Sequence, residues 1–155
     1  IIYPWEVDRG LKGVLNGVWS TPLWGLGVSG VFRYYSGQPF TPTANADLNN
    51  DGQSGTDRPT VNGVHLGRNS LNQPSFYTLD LRLSKSFRIG PTDLAIFAEC
   101  FNCSDKANRA ISGGSQIYGT GLTPDQNPRS TFGLVDSLNP NYIPRTFQLG
   151  ARFEF

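Results

Sequence analysis

Residues 144–155 read PRTFQLGARFEF, and from Phe147 to Phe155 apolar and polar side chains take turns. Phe147, Leu149, Ala151, Phe153 and Phe155 form one set; Gln148, Gly150, Arg152 and Glu154 form the other. A β-strand repeats every two residues, so each set occupies one face of a sheet. A strand of about ten residues with one greasy and one wet side, closing on an aromatic residue, suits a barrel wall between lipid and water.

Working back from this strand, four more follow. Asp93 to Asn102 sets Leu94, Ile96, Ala98 and Cys100 against Ala95, Phe97, Glu99 and Phe101. Phe76 to Phe87 is the cleanest, with Tyr77, Leu79, Leu81 and Leu83 opposing Thr78, Asp80, Arg82 and Ser84. Gly25 to Ser36 places Leu26, Val28, Phe32 and Tyr34 opposite Gly27, Ser29 and Arg33. Leu11 to Ser20 is diluted by glycines but completes the series. Short Pro-containing turns, TPLWG and RIGPTD, join the first strand to the second and the third to the fourth. About forty residues separate the second from the third and the fourth from the fifth. Tight turns on one side and long loops on the other are the asymmetry of an outer-membrane barrel. The fold expected is therefore all-β, an antiparallel up-and-down meander of about five long strands with two long loops. Residues 1–155 read as one β-domain, a barrel-type segment incomplete as a single chain.

Composition agrees. The 155 residues include 18 Gly and 11 Pro, aromatics make up 12%, Met is absent, and the i, i+3, i+4 apolar rhythm of helices is scarce. A formal net charge of +1 with 16% charged residues argues against a nucleic-acid footprint. No stretch approaches the twenty or so apolar residues of a membrane helix, and the opening IIYPWEVDRG lacks the regions of a signal peptide. Aromatics gather near strand ends: Tyr3 and Trp5, Trp19 and Trp24, Tyr34 and Tyr35, Phe87, Tyr142, Phe153 and Phe155. Amphipathic rings favour the headgroup boundary, so the distribution resembles an aromatic girdle.

The ordered series GVWSTPLWGLGVSGVFRYYSGQPFTP, DLNNDGQSGTDRP, LDLRLSKSF, AECFN and PRTFQLGARFEF resembles the last strands and loops of a TonB-dependent outer-membrane transporter. The subgroup it looks most like is the Oar-like one, whose members carry a carboxypeptidase-regulatory-like domain ahead of the plug. The resemblance implies a large barrel of about twenty-two strands with an internal plug, taking up a scarce nutrient with energy relayed from the inner membrane. It also implies that Phe147, Phe153 and Phe155 form the terminal signal read by the barrel-assembly machinery. Plug, energy-coupling box and most of the wall have no counterpart in these 155 residues.

Five strands cannot close a barrel, since the smallest need about eight. Two bare edges and an apolar face would remain, each requiring a partner. Two functions from different classes follow. In one, the chain is a non-enzymatic structural protein whose copies pair edge to edge into an extracellular multimer or filament. In the other, it is the carboxyl-terminal wall of a TonB-dependent transporter, partnered by the remaining strands and plug. The expected location is the bacterial outer membrane or extracellular surface, with no nucleic-acid partner.

Three constellations bear on chemistry. Asp47, Asn49 and Asp51, followed by Gly52, place oxygen ligands at alternate positions before a sharp turn, as short calcium loops do. Gln53 would add its carbonyl and Asp57 would close the shell of a structural calcium ion. Arg58 stands where the EF-hand pattern has its bidentate Glu, and an Asx-rich turn without metal is the alternative. Cys100 and Cys103 form a CxxC at a strand end, where a disulfide needs a local bend because odd spacing sends the side chains to opposite faces. Asp80, Arg82 and Glu99 lie on the polar faces of the third and fourth strands, placed for cross-strand ion pairing or for a charged lumen lining. His65 sits in a Gly/Asn-rich loop with no nucleophile motif beside it, so no catalytic residue is assigned.

Overall fold

The computed structural model describes residues 10–22, 24–119 and 128–155. Tyr3 and Trp5 of the expected girdle lie outside the described residues. The chain divides into two compact units, one built on Leu11–Tyr35, Phe76–Ala107 and Asn141–Phe155, the other on Ser36–Ser75 and Asn108–Pro140.

The first unit is a five-stranded antiparallel sheet made of β1 (Lys12–Ser20), β2 (Leu26–Tyr35), β3 (Phe76–Ile89), β4 (Thr92–Phe101) and β5 (Thr146–Glu154). Each strand pairs with its neighbour in sequence, giving the simple order β1-β2-β3-β4-β5. The all-β meander is as the alternation requires; the sheet is open and no closed barrel is seen. No α-helix occurs among the described residues. Strand ends shift by a residue or two from expectation. The turn expected over RIGPTD contracts to Gly90 and Pro91, because Ile89 still pairs with Thr92. Gly90 takes φ +63°, the positive value that a two-residue hairpin demands at its first central position.

Register fixes which side chains share a face. One cross-strand row runs Gly17, Gly30, Leu81, Cys100, Phe147, and the next runs Trp19, Val28, Leu83, Ala98, Leu149. These rows meet β1 late along its length and β5 near its start, an offset that falls at the long central strand: β2 pairs with Phe76–Lys85 and β4 with Leu81–Ile89, while β1 with β2 and β4 with β5 pair flush. On the apolar face Phe32 meets Tyr77 with ring centroids 6.2 Å apart, a cross-strand aromatic pair of about 0.5–1.5 kcal/mol. On the opposite face the Phe97 ring lies over Gly150, its cross-strand partner. A Cβ at Gly150 would fall 2.3 Å from Cζ of Phe97, so only glycine leaves room for the ring.

The second unit holds the two long connections and a small core of its own. Phe40, Ala44, Ala46, Ile111 and Tyr118 are buried, with Pro42 and Pro59 among the most completely enclosed side chains. Two-residue ladders tie it together: Pro39–Phe40 with Leu71–Asn72, Thr60–Val61 with Val64–His65, and Arg109–Ala110 with Ser137–Leu138. Thr43 and Ile117 form a parallel bridge between the two connections, and Tyr118 packs edge-on against Phe132 at 4.9 Å. Long loops are ordinarily mobile because they bury little. Here each supplies apolar surface and backbone partners to the other.

Candidate functional site: a two-faced wall with open edges

The sheet's apolar face is exposed from edge to edge. Leu149 is 82% and Leu15 72% accessible, and Trp19, Leu81, Leu83, Ile89, Ile96, Phe147 and Phe153 are all exposed on the same face. Covering these side chains would be worth on the order of 10 kcal/mol, comparable with the whole net stability of an ordinary domain. Lys85 is the one charged residue among them, and its ammonium lies 4.8 Å from the Phe87 ring, its stem along the apolar surface and its charge over a π-face.

The opposite face carries paired charges. Arg82 reaches Glu99 at 3.0 Å and its guanidinium stacks 4.1 Å above the Phe97 ring. Arg88 meets Asp93 at 3.4 Å. The cross-strand ion pairing expected of Asp80, Arg82 and Glu99 forms between Arg82 and Glu99, while Asp80 pairs with Arg33 on β2. The reason is diagonal geometry, since Asp80 sits opposite Val31, two residues from Arg33 on the same face. The second carboxylate oxygen of Asp80 accepts the backbone N–H of Asn102 at 2.9 Å.

Asn102, which the alternation marks only as the end of the fourth strand, has a larger part. It is 1% exposed, lies just past β4 and takes φ +48°. Its Nδ2 donates to the carbonyls of Lys106 (3.1 Å) and Ile143 (3.0 Å), and its Oδ1 accepts from Ser104 Oγ at 3.2 Å. The side chain thereby ties the end of β4 to the approach of β5. The local signal was an Asn after a strand, a residue type that tolerates positive φ. The same bend brings Cys103 back to Cys100, and the two form a disulfide with Cα atoms 5.5 Å apart. The bend anticipated for this pair is the Asn102 turn, held further by the Cys103 N–H donating to the Leu79 carbonyl at 2.7 Å.

Phe147 and Phe153 of the terminal aromatic set stand on the apolar face, while Phe155 lies one residue beyond β5 and is fully exposed. Both outer edges of the sheet are open among the described residues, β1 pairing only with β2 and β5 only with β4.

In the loop unit, Asp47, Asn49 and Asp51 are brought together. Asp47 accepts the N–H groups of Asp51 (3.1 Å) and Gly52 (2.8 Å), and Asn49 Oδ1 accepts that of Asp51 at 3.0 Å. Asp51 accepts the N–H of Gln53, and the Gln53 carbonyl accepts the Thr56 hydroxyl. Asp57, buried, accepts the N–H groups of Leu48 and Asn49. Arg58 and His65 line the same cavity as Asn49, Asp51 and Asp57. Among the described residues no group of three or more His, Cys, Asp or Glu side chains is placed to hold a metal ion, so a cation here would rest on Asn49 and carbonyls as well. The carboxylates retain lone pairs beyond those given to the loop amides, and to that extent the residues fit.

Elsewhere in this unit Asp136 is gripped by two serines. Its carboxylate accepts the hydroxyls of Ser115 (2.7 Å) and Ser112 (2.8 Å) and the N–H of Ser112 (2.9 Å). These bonds, the Ser115 hydroxyl foremost, hold its pKa down from the ordinary 3.8 to about 2.

Comparison with family models, with curated proteins and with solved structures finds no match to the chain.

Proposed function

We propose that this chain is wall and loop of a bacterial outer-membrane β-barrel, the carboxyl-terminal part of a TonB-dependent transporter that takes up a nutrient as a complete assembly. The observation that carries the reading is the exposed apolar face backed by an ion-paired polar face. Lipid would cover the first and an aqueous lumen would meet the second. The arrangement of connections supports it too, because both short turns leave one end of the sheet and both long connections leave the other. No catalytic constellation enters the reading.

The test is lipid contact. With Trp5 and Trp24 replaced by Phe, fluorescence of Trp19 in vesicles of acyl-brominated lipid is expected to be strongly quenched. Unquenched emission from a folded chain would refute the proposal.

The open edges of β1 and β5 favour a second reading, pairing between copies into a structural multimer or filament. Its signature is a particle with a regular repeat, containing this polypeptide alone, that persists in detergent-free buffer. A stable, folded monomer in that buffer would overturn both readings.

For the Asp47–Asp57 loop the proposal is a structural calcium ion held by Asn49, the Gln53 carbonyl and at most two of the carboxylates of Asp47, Asp51 and Asp57, serving rigidity and no chemistry. Chelator should then lower the melting temperature, and added calcium should restore it. An unchanged melting curve with no bound metal assigns the loop to an Asx turn.

A further inference from the structure

Exposed sheet edges are ordinarily blunted by Lys, by Pro, by a bulge or by shortness of the strand. The outer edge of β5 has none of these. Its nine residues pair with β4 without a break from Thr146 to Glu154, and they include neither Lys nor Pro. Its two charges, Arg152 and Glu154, meet each other along the strand. Among the described residues no strand pairs with its free side.

From either end β5 presents nearly the same order of residue classes. About Gly150, Leu149 corresponds to Ala151, Gln148 to Arg152, Phe147 to Phe153 and Thr146 to Glu154. Such a strand complements itself when a second copy lies antiparallel beside it, related by a two-fold axis through Gly150. In that register all nine residues pair and every apolar side chain faces an apolar one. Phe147 of each copy faces Phe153 of the other, an aromatic cross-strand pair on either side of the axis. Arg152 faces Gln148 and Glu154 faces Thr146, so no like charges are opposed. Gly150 faces its own copy, and each glycine already lies under the Phe97 ring of its own chain. Pairing centred on Arg152 would set two guanidinium groups against each other and leave Thr146 to Leu149 without strand partners.

Strand direction decides against a head-to-tail array. The sheet has five strands and each runs antiparallel to its neighbour, so β1 and β5 point the same way. A β5-to-β1 junction between copies would be a parallel pair in an otherwise antiparallel sheet, and parallel ladders are slightly the weaker. β1 also carries Lys12 and two glycines, Gly13 and Gly17, which disfavour its edge for pairing. A two-fold at β5 keeps the doubled sheet antiparallel and lays both apolar faces on the same side.

We propose that β5 is a self-complementary interface, along which two copies of this chain pair antiparallel from Thr146 to Glu154 about a two-fold axis at Gly150. The inference rests on the reading of edge pairing between copies and adds to it the strand, the partner and the register.

The test uses the full chain in detergent-free buffer with one nitroxide label at a time, on Thr146→Cys, Gln148→Cys, Arg152→Cys or Glu154→Cys. Cys100 and Cys103 are bonded to each other and take no label. Sedimentation measures association, and dipolar spectroscopy measures the separation of labels. With about 3.4 Å per residue along a strand and about 4.8 Å between strands, the two-fold register gives backbone separations of about 27 Å at 146 and 154 and about 14 Å at 148 and 152. A head-to-tail array gives about 24 Å at every position. Leu149→Lys combined with Ala151→Lys sets like charges across the axis and should weaken association by about tenfold or more. Leu149→Lys combined with Ala151→Glu sets opposite charges there and should recover most of the loss. Circular dichroism confirms that each variant keeps its strands. Particles of this polypeptide alone whose label separations do not vary with position would overturn the β5 two-fold and leave edge pairing standing. A folded monomer would overturn both, and equal association of the two charge variants would overturn the register.

Discussion

Replacing Asn102 should destabilise the sheet unit far more than an ordinary surface substitution. Asn102→Ala removes three side-chain hydrogen bonds, to Lys106, Ile143 and Ser104, each worth about 1 kcal/mol. It also forces a Cβ-bearing residue without a polar side chain to hold φ +48°, which costs about 1 kcal/mol more. The expected loss is therefore about 4 kcal/mol. Asn102→Gly loses the same bonds but accepts the backbone angle freely, so about 3 kcal/mol is expected. The order of the two variants separates the bonding contribution from the backbone contribution. Equilibrium urea unfolding in micelles, followed by Trp fluorescence, measures both; hydrogen exchange should show early opening around Ile143 to Thr146. If Asn102→Ala changed stability by less than about 0.5 kcal/mol, as surface substitutions do, the Asn102 knot would not be what ties β4 to β5.

Further outcomes follow from the same geometry. Leu149→Arg, on the apolar face, should cost about 2–4 kcal/mol in lipid vesicles, whereas Gln148→Arg on the polar face beside Glu99 should be nearly neutral; equal effects in urea titration would contradict the assignment of faces. Gly150→Ala should destabilise by about 1–3 kcal/mol through collision with the Phe97 ring, and adding Phe97→Ala should recover most of the steric part, read as a coupling energy in a double-mutant cycle. Asp136, with its pKa lowered to about 2, stabilises the loop unit at pH above its ordinary 3.8, and that support is lost as pH falls through about 2. Carboxyl NMR titration should place the midpoint near 2, and Asp136→Asn should flatten the acid limb of loop-unit hydrogen exchange; a midpoint near 4 would show that the serines do not grip it.

The alternation of Phe147 to Glu154, and of the three strands before it, contained the meander, the composition of both faces and the approximate strand ends. That much was local, because a strand's period of two is set by its own backbone and a slip of one residue would turn the whole apolar set over. A short turn within Arg88–Asp93, and the need for a bend if Cys100 and Cys103 were to bridge, were legible for the same reason; the tightness of the turn was not. Asp80's choice of Arg33, across 47 residues of chain, depended on the register of β2 against β3. The partners of Asn102, the seat of Phe97 over Gly150, and the mutual ordering of the two long connections likewise join residues distant in sequence. Propensity says nothing about such meetings, since they arise only when separate segments bury surface against one another.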